Sequence, residues 1–186
     1  MKSKTKIVRG GGIPVGVVVA LLLSLVMVTG AVHAEKSAPG KRQGPVSLPS
    51  DLFVSAAPAD PLEVGHARKA SEEGKPIVIR GRIGGMVEPF AAKYAIFVLS
   101  DLQLPPCTDG CPTAWDYCCT PRETIMANVA TIQVVDADGR PLKVPVKGVN
   151  GLKAMSEVIV SGTVAKRNEN FLVVNARNIF VSGETK

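Results

Sequence analysis

The stretch that decides the fold is Pro76-Ile77-Val78-Ile79-Arg80-Gly81-Arg82-Ile83. Ile77, Ile79, Gly81 and Ile83 fall on one side, and Val78, Arg80 and Arg82 on the other. Strict alternation of this kind reads as a β-strand with one buried face. Gly84-Gly85 then ends or bends it. Four further strand-like runs follow, at Tyr94–Ser100, Ala127–Val135, Glu157–Lys166 and Phe171–Val181. In the fourth run Val158, Val160, Gly162 and Val164 share a side. The fifth is interrupted near Asn175–Asn178, where a bulge is expected. Asp138-Gly139 is a turn signal before a short apolar return through Leu142 to Val146. Between the third and fourth runs, Leu152 and Met155 lie three apart in the stretch 148–156, which fits one or two helical turns.

Upstream of the first strand, Asp60-Pro61 reads as a helix start, a capping residue followed by proline at the first helical position. Leu62, Val64, Ala67 and Ala70 then recur at helical spacing, and Gly74 is a plausible stop. No internal repeat at solenoid periods is present. Five short strands with a small helix predict an all-β fold with one or two short helices, a five-stranded Greek-key barrel of the OB-fold type over 60–182. Closure buries the apolar face and removes exposed edges. Gly81 and Gly162 suit the bends and close approaches of barrel corners. The alternative is an immunoglobulin-like sandwich, which ordinarily needs about seven strands and no helix.

The first third of the chain has a different character. Lys2, Lys4, Lys6 and Arg9 begin it without an acidic residue, Ile13 to Val28 is almost wholly apolar, and Val32-His33-Ala34 supplies small residues at a cleavage position. That is a secretory signal peptide over 1–34, with the cut expected between Ala34 and Glu35. The apolar run of about 16 residues is shorter than the roughly 20 of a retained anchor. Residues 35–59, with Pro39, Pro45, Pro49 and Pro58, read as a flexible leader, although Leu52-Phe53-Val54 could dock on the domain. Residues 183–186 read as a tail. The expected location is outside the cytoplasm, periplasmic or secreted, with membrane contact only through the signal.

Export changes the charge argument. The whole chain carries +6. Without the four signal cations it has 22 − 4 = 18 Lys plus Arg against 16 Asp plus Glu, a formal +2. Such a balance does not call for a nucleic-acid groove. OB-folds that bind oligonucleotides combine a basic track with aromatic platforms. Arg80, Arg82, Tyr94, Lys166 and Phe171, with Lys93, Arg167, Phe90 and Phe97 nearby in sequence, are the candidates for such a face. That reading stays as a third one.

The four cysteines, Cys107, Cys111, Cys118 and Cys119, lie in one window, 107–119. The window falls in the long connection between the second and third runs and also holds Asp109, Trp115, Asp116 and Tyr117. In an oxidising compartment a clustered even set points to disulfides. A bond between the neighbours Cys118 and Cys119 is strained, because their Cα atoms are about 3.8 Å apart. The two pairings that join Cys107 and Cys111 to Cys118 and Cys119 are therefore favoured. Each closes a ring of roughly ten residues, worth about 2–3 kcal/mol. The other reading is a soft-metal site for copper or zinc, although C-x3-C-x6-C-C lacks paired CxxC knuckles. His66 could join only if its helix folds beside the loop. Redox catalysis has no C-x-x-C motif to support it.

No nucleophile–base pair or phosphate loop marks an enzyme, and Asp101, Asp109 and Asp116 alone do not make one. The expectation is a non-enzymatic binding module without a cofactor. Its disulfide-stapled loop presents Trp115, Asp116 and Tyr117 to an extracytoplasmic ligand or protein, flanked by the Gly84–Tyr94 and Lys166–Phe171 connections.

Two passages carry a resemblance. Val64-Gly65-His66-Ala67-Arg68-Lys69 through Val78–Gly85 resembles the opening of small exported bacterial OB-fold proteins. Cys111-Pro112-Thr113-Ala114-Trp115-Asp116-Tyr117-Cys118-Cys119 is similar to a signature in one group of them without an assigned activity. The resemblance covers about 60–182. It implies the fold and the compartment, and only a generic nucleic-acid label beyond them.

Overall fold

The computed structural model describes residues 46–107 and 110–182. The expected signal peptide, the first part of the expected leader, Thr108, Asp109 and the expected tail 183–186 lie outside the described residues. Among the described residues no helix is long and apolar enough to cross a membrane.

The elements run β1 (Leu62–Glu63), α1 (Val64–Ala70), β2 (Pro76–Ile83), β3 (Ile96–Ser100), α2 (Arg122–Ala127), β4 (Val129–Gln133), β5 (Glu157–Arg167) and β6 (Leu172–Val181). The alternation in β2 is realised: Ile77, Ile79, Gly81 and Ile83 are buried. β2 pairs antiparallel with β3, β3 with β4, and β5 with β6, while β4 and β6 run parallel. A further antiparallel ladder, from Pro76↔Thr163 to Arg82↔Glu157, joins β2 to β5 and closes the ring. The circuit β2-β3-β4-β6-β5 is a closed five-stranded barrel with the Greek-key crossing of an OB-fold. Its interior is filled by β-branched and aromatic side chains, among them Ile79, Phe97, Ile132, Val160, Val174 and Ile179.

The two strand glycines sit where the backbone crowds. A Cβ on Gly81 would lie 2.4 Å from the Ser100 carbonyl oxygen, and one on Gly162 would lie 2.1 Å from that of Asn175. The β5–β6 register shifts there, from Ser161↔Asn178 to Gly162↔Ala176, which leaves Arg177 as an extra residue. This is the bulge expected from the interrupted fifth run.

Three boundaries depart from the sequence reading. The helix begins at Val64 instead of Asp60. Asp60 takes a left-handed conformation, φ 51°, so it does not cap, and Leu62–Glu63 is extended. The cause is an open edge: β3 engages β2 only at Arg82 and Ile83. Leu62 and Glu63 fill the remaining edge in parallel beside Ile79 and Arg80, and Glu63 adds an ion pair to Arg80. A second helix, α2, shortens the third strand to Val129–Gln133. The turns expected near 148–156 reduce to a 3-10 turn at Val149–Gly151 with Leu152 buried after it.

The end of the expected leader is docked on the domain. Leu52 is fully buried and sits at a parallel bridge between Phe53 and Ile179. The Val54 amide donates to the Ile179 carbonyl at 3.0 Å, and the Ile179 amide donates to Leu52 at 2.7 Å. The Leu52-Phe53-Val54 segment thus docks on β6 through backbone bonds and burial.

Candidate functional site

The connection from Asp101 to Asn128, between β3 and β4, carries the cysteines. It is seated on the barrel by a small core of its own, Leu104, Tyr117 and Ile125 packed with Val129. Tyr117 has no exposed surface. Its hydroxyl lies 2.8 Å from Ser100 Oγ. The Ser100 hydroxyl donates to the Arg82 carbonyl at 2.8 Å, so Tyr117 is the donor to Ser100, a hydroxyl having one proton. Tyr117 therefore anchors the loop from beneath and cannot be presented to a ligand, which corrects the sequence reading. Burial wins because the ring completes this local core while its hydroxyl keeps a partner.

Trp115 is half-buried, and its indole N–H donates to the Val87 carbonyl at 3.0 Å. The Gly85 amide donates to the Trp115 carbonyl at 2.7 Å. A Cβ on Gly84 would lie 2.6 Å from that same carbonyl. The loop thus rests on the Gly84–Val87 backbone, one of the two connections expected beside it. Asp116 shapes the turn: one carboxylate oxygen accepts from Thr113 Oγ1 at 2.7 Å, the other from the Cys118 amide at 3.0 Å. At the loop's root, Asp101 is nearly buried. It accepts from the Gly65 amide at 2.7 Å and the Gln103 amide at 2.9 Å, tying the loop to α1.

These contacts bring the sulfurs together. Sγ of Cys118 lies 2.9 Å from Cys111, 3.4 Å from Cys107 and 3.9 Å from Cys119. The sulfurs of Cys107, Cys118 and Cys119 all lie within 4.8 Å of one another. All four cysteines are free thiols. The expected pair of disulfides is therefore not formed, since every separation exceeds the S–S bond of about 2.05 Å. Cys118 and Cys119 are exposed, Cys107 and Cys111 half-buried.

The thiols are not equivalent. The Cys119 amide donates to Cys107 and, with the neighbouring thiols, holds its pKa below the ordinary thiol value. Cys118 is pushed up to about 12, chiefly by hydrogen bonding to Cys111 and then Cys107. Cys119 is pushed up to about 11, chiefly by Cys107. The thiolate is the reactive form. In reduced protein near neutral pH, iodoacetamide is expected to label Cys107 before Cys118 and Cys119. Peptide mapping after brief exposure checks this, and equal labelling of the three would contradict it.

α1 does fold beside the loop. His66 and Lys69 line a cleft of about 800 Å³ together with Asp101, Gln103, Cys119 and Thr124. His66 is not among the side chains that converge with the sulfurs.

Of the residues expected to form a basic and aromatic face, two carry ion pairs. Arg80 is paired with Glu63, and Arg82 with Glu157 at 2.9 Å. Tyr94 and Phe171 are both partly exposed, and Lys166 stands on β5 opposite Val173. No hydrogen bond, ion pair or ring contact joins these five among the described residues. Phe90 and Phe97 are buried against each other, with ring centroids 6.1 Å apart, and belong to the core. The tether through Ser100 and Asp101 was not singled out from sequence. The one available signal was a Ser-Asp pair closing an apolar strand.

No protein-family model matches the chain. No curated protein matches it either. The solved structure of the hypothetical protein ygiW from E. coli is similar at 14% identity with a TM-score of 0.35, covering 75% of this chain and 100% of that one.

Proposed function

We propose that this protein is an exported, non-enzymatic metal-binding module. Cys107, Cys118 and Cys119 hold one soft cation as thiolates on the rim of the barrel. The observation that carries the reading is the mutual closeness of these three sulfurs. Around an ion with metal–sulfur bonds of about 2.3 Å, neighbouring thiolates stand about 3.8–4.0 Å apart. The Cys118–Cys119 separation of 3.9 Å matches that edge, and the Cys107–Cys118 separation of 3.4 Å has to open by a few tenths of an ångström to reach it. Cys111, at 2.9 Å from Cys118, is too close for such an edge and too far for a bond. It stands as a thiol beside the site. Three sulfur donors favour copper(I) over zinc, because structural zinc sites close with four protein ligands.

Anchoring supports the same role. Tyr117 immediately precedes the Cys118-Cys119 pair, and Asp116 accepts from the Cys118 amide. Buried and hydrogen-bonded supports of this kind hold ligands in place before the ion arrives.

The test is titration of the reduced protein with copper(I) under anaerobic conditions, read by native mass spectrometry and chelator competition. One ion per chain is expected. Cys118→Ser should weaken binding by roughly a hundredfold or more, whereas Cys111→Ser should retain it. Absence of a bound ion, or affinity indifferent to Cys118→Ser, would overturn the proposal.

A further inference from the structure

We infer that Cys111 is a redox trigger: its oxidation by a disulfide captures Cys118 and releases the ion. This rests on the metal-binding reading for the ion, but the disulfide that forms depends only on the sulfur geometry. Cys118 belongs to two arrangements at once. It is one of the three mutually close sulfurs, and its nearest sulfur, at 2.9 Å, is Cys111 outside that set. Closing this pair to a bond of about 2.05 Å requires less than an ångström of movement. The Cys107 pair at 3.4 Å requires more, and the vicinal Cys118–Cys119 pair is strained by chain geometry. One sulfur cannot both share a disulfide and donate a full thiolate charge to an ion. The two states therefore exclude each other.

The steps balance with a small disulfide, RSSR, as oxidant. The Cys111 thiol, free of the ion, loses its proton and attacks one sulfur of RSSR. A Cys111–S–S–R bond forms, the R–S–S–R bond breaks, and the first RS⁻ takes that proton. The Cys118 thiolate then attacks Cys111 Sγ, forming the Cys111–Cys118 bond and expelling the second RS⁻, which takes a proton from water. Two cysteine sulfurs are oxidised and one RSSR is reduced to two thiols. The ion is left with two donors, Cys107 and Cys119, is held more weakly than by three, and passes to the thiols released from RSSR. Access does not limit the reaction, since Cys118 is exposed and Cys111 half-exposed.

The experiment exposes the copper(I)-loaded protein to glutathione disulfide without oxygen. Acid-quenched samples are mapped for disulfides, and protein-bound copper is measured after gel filtration. The expected first protein disulfide is Cys111–Cys118, appearing with loss of two hydrogens and of the ion. Cys111→Ser should keep its copper at least tenfold longer under the same oxidant. Accumulation of another pair first, or copper loss from Cys111→Ser at the rate of the unsubstituted chain, would overturn the inference. The same mapping on metal-free reduced protein, brought to exchange equilibrium with the oxidant, separates the two proposals: a predominant Cys111–Cys118 bond there supports the trigger even if no ion binds, and a different predominant bond defeats it.

Discussion

Gly162→Ala is expected to destabilise the barrel by roughly 3 kcal/mol or more, the scale of a severe overpacking substitution. The added Cβ would stand 2.1 Å from the Asn175 carbonyl oxygen, with the carbonyl carbon at 2.9 Å. Both atoms are backbone, so no side chain can rotate away. Relief requires the β5–β6 ladder to open at the bulge, where Arg177 is already unpaired in register. That ladder is continuous with the closing ladder from β2, because Gly162 also pairs with Ile77. The strain is therefore transmitted to closure itself. Gly74→Ala is the control: nothing lies within 4 Å of its Cβ. Its positive φ of 77° costs only about 1–2 kcal/mol. Urea denaturation of both variants checks the contrast, and a Gly162→Ala midpoint equal to or above that of Gly74→Ala would contradict it.

Tyr117→Ala is expected to cost about 3–5 kcal/mol, the range for truncating a buried aromatic ring. Tyr117 is the largest fully buried side chain and the centre of the cluster with Leu104 and Ile125. Its loss leaves a cavity directly beneath the cysteine turn. Unfolding is expected to take the loop first, so thiol convergence fails before the barrel does. Tyr117→Phe separates the ring from the hydroxyl. It gives up one donated bond to Ser100, while Ser100 keeps its own bond to the Arg82 carbonyl. The expected cost is about 1 kcal/mol. Equilibrium denaturation, followed by both tryptophan fluorescence and thiol accessibility, measures the pair. A Tyr117→Ala cost below that of Tyr117→Phe would refute the anchoring role.

Both residues show what the sequence made legible. The barrel strands could be read because β-branched residues alternate with period two, and a closed sheet preserves that period. The crowding at Gly81 and Gly162 followed from their position on apolar strand faces. The start of α1 did not follow, because a local cap signal at Asp60-Pro61 competed with a non-local one. The uncovered edge of β2 captured Leu62 and Glu63 as a strand, and pairing across the chain overrode local propensity. α2 was missed because six residues give too little periodicity to recognise.

The candidate site was legible in part. Convergence of the cysteines followed from their short window. The burial of Tyr117 did not, because an irregular loop carries no period that tells inside from outside. Its left-handed backbone, φ 56°, turns the chain so that the ring drops toward Ser100 while the Cys118-Cys119 pair faces solvent. The arginine and aromatic positions show what side-chain type alone leaves out. They were grouped by side-chain type, whereas the carboxylates of Glu63 and Glu157 take the charges of Arg80 and Arg82 locally.

The most direct test of the thiolate site is X-ray absorption at the copper edge on protein loaded anaerobically with one equivalent of copper(I). A first shell of three sulfur atoms at about 2.3 Å is expected, unchanged in Cys111→Ser and diminished in Cys118→Ser. A first shell of nitrogen and oxygen without sulfur would contradict it.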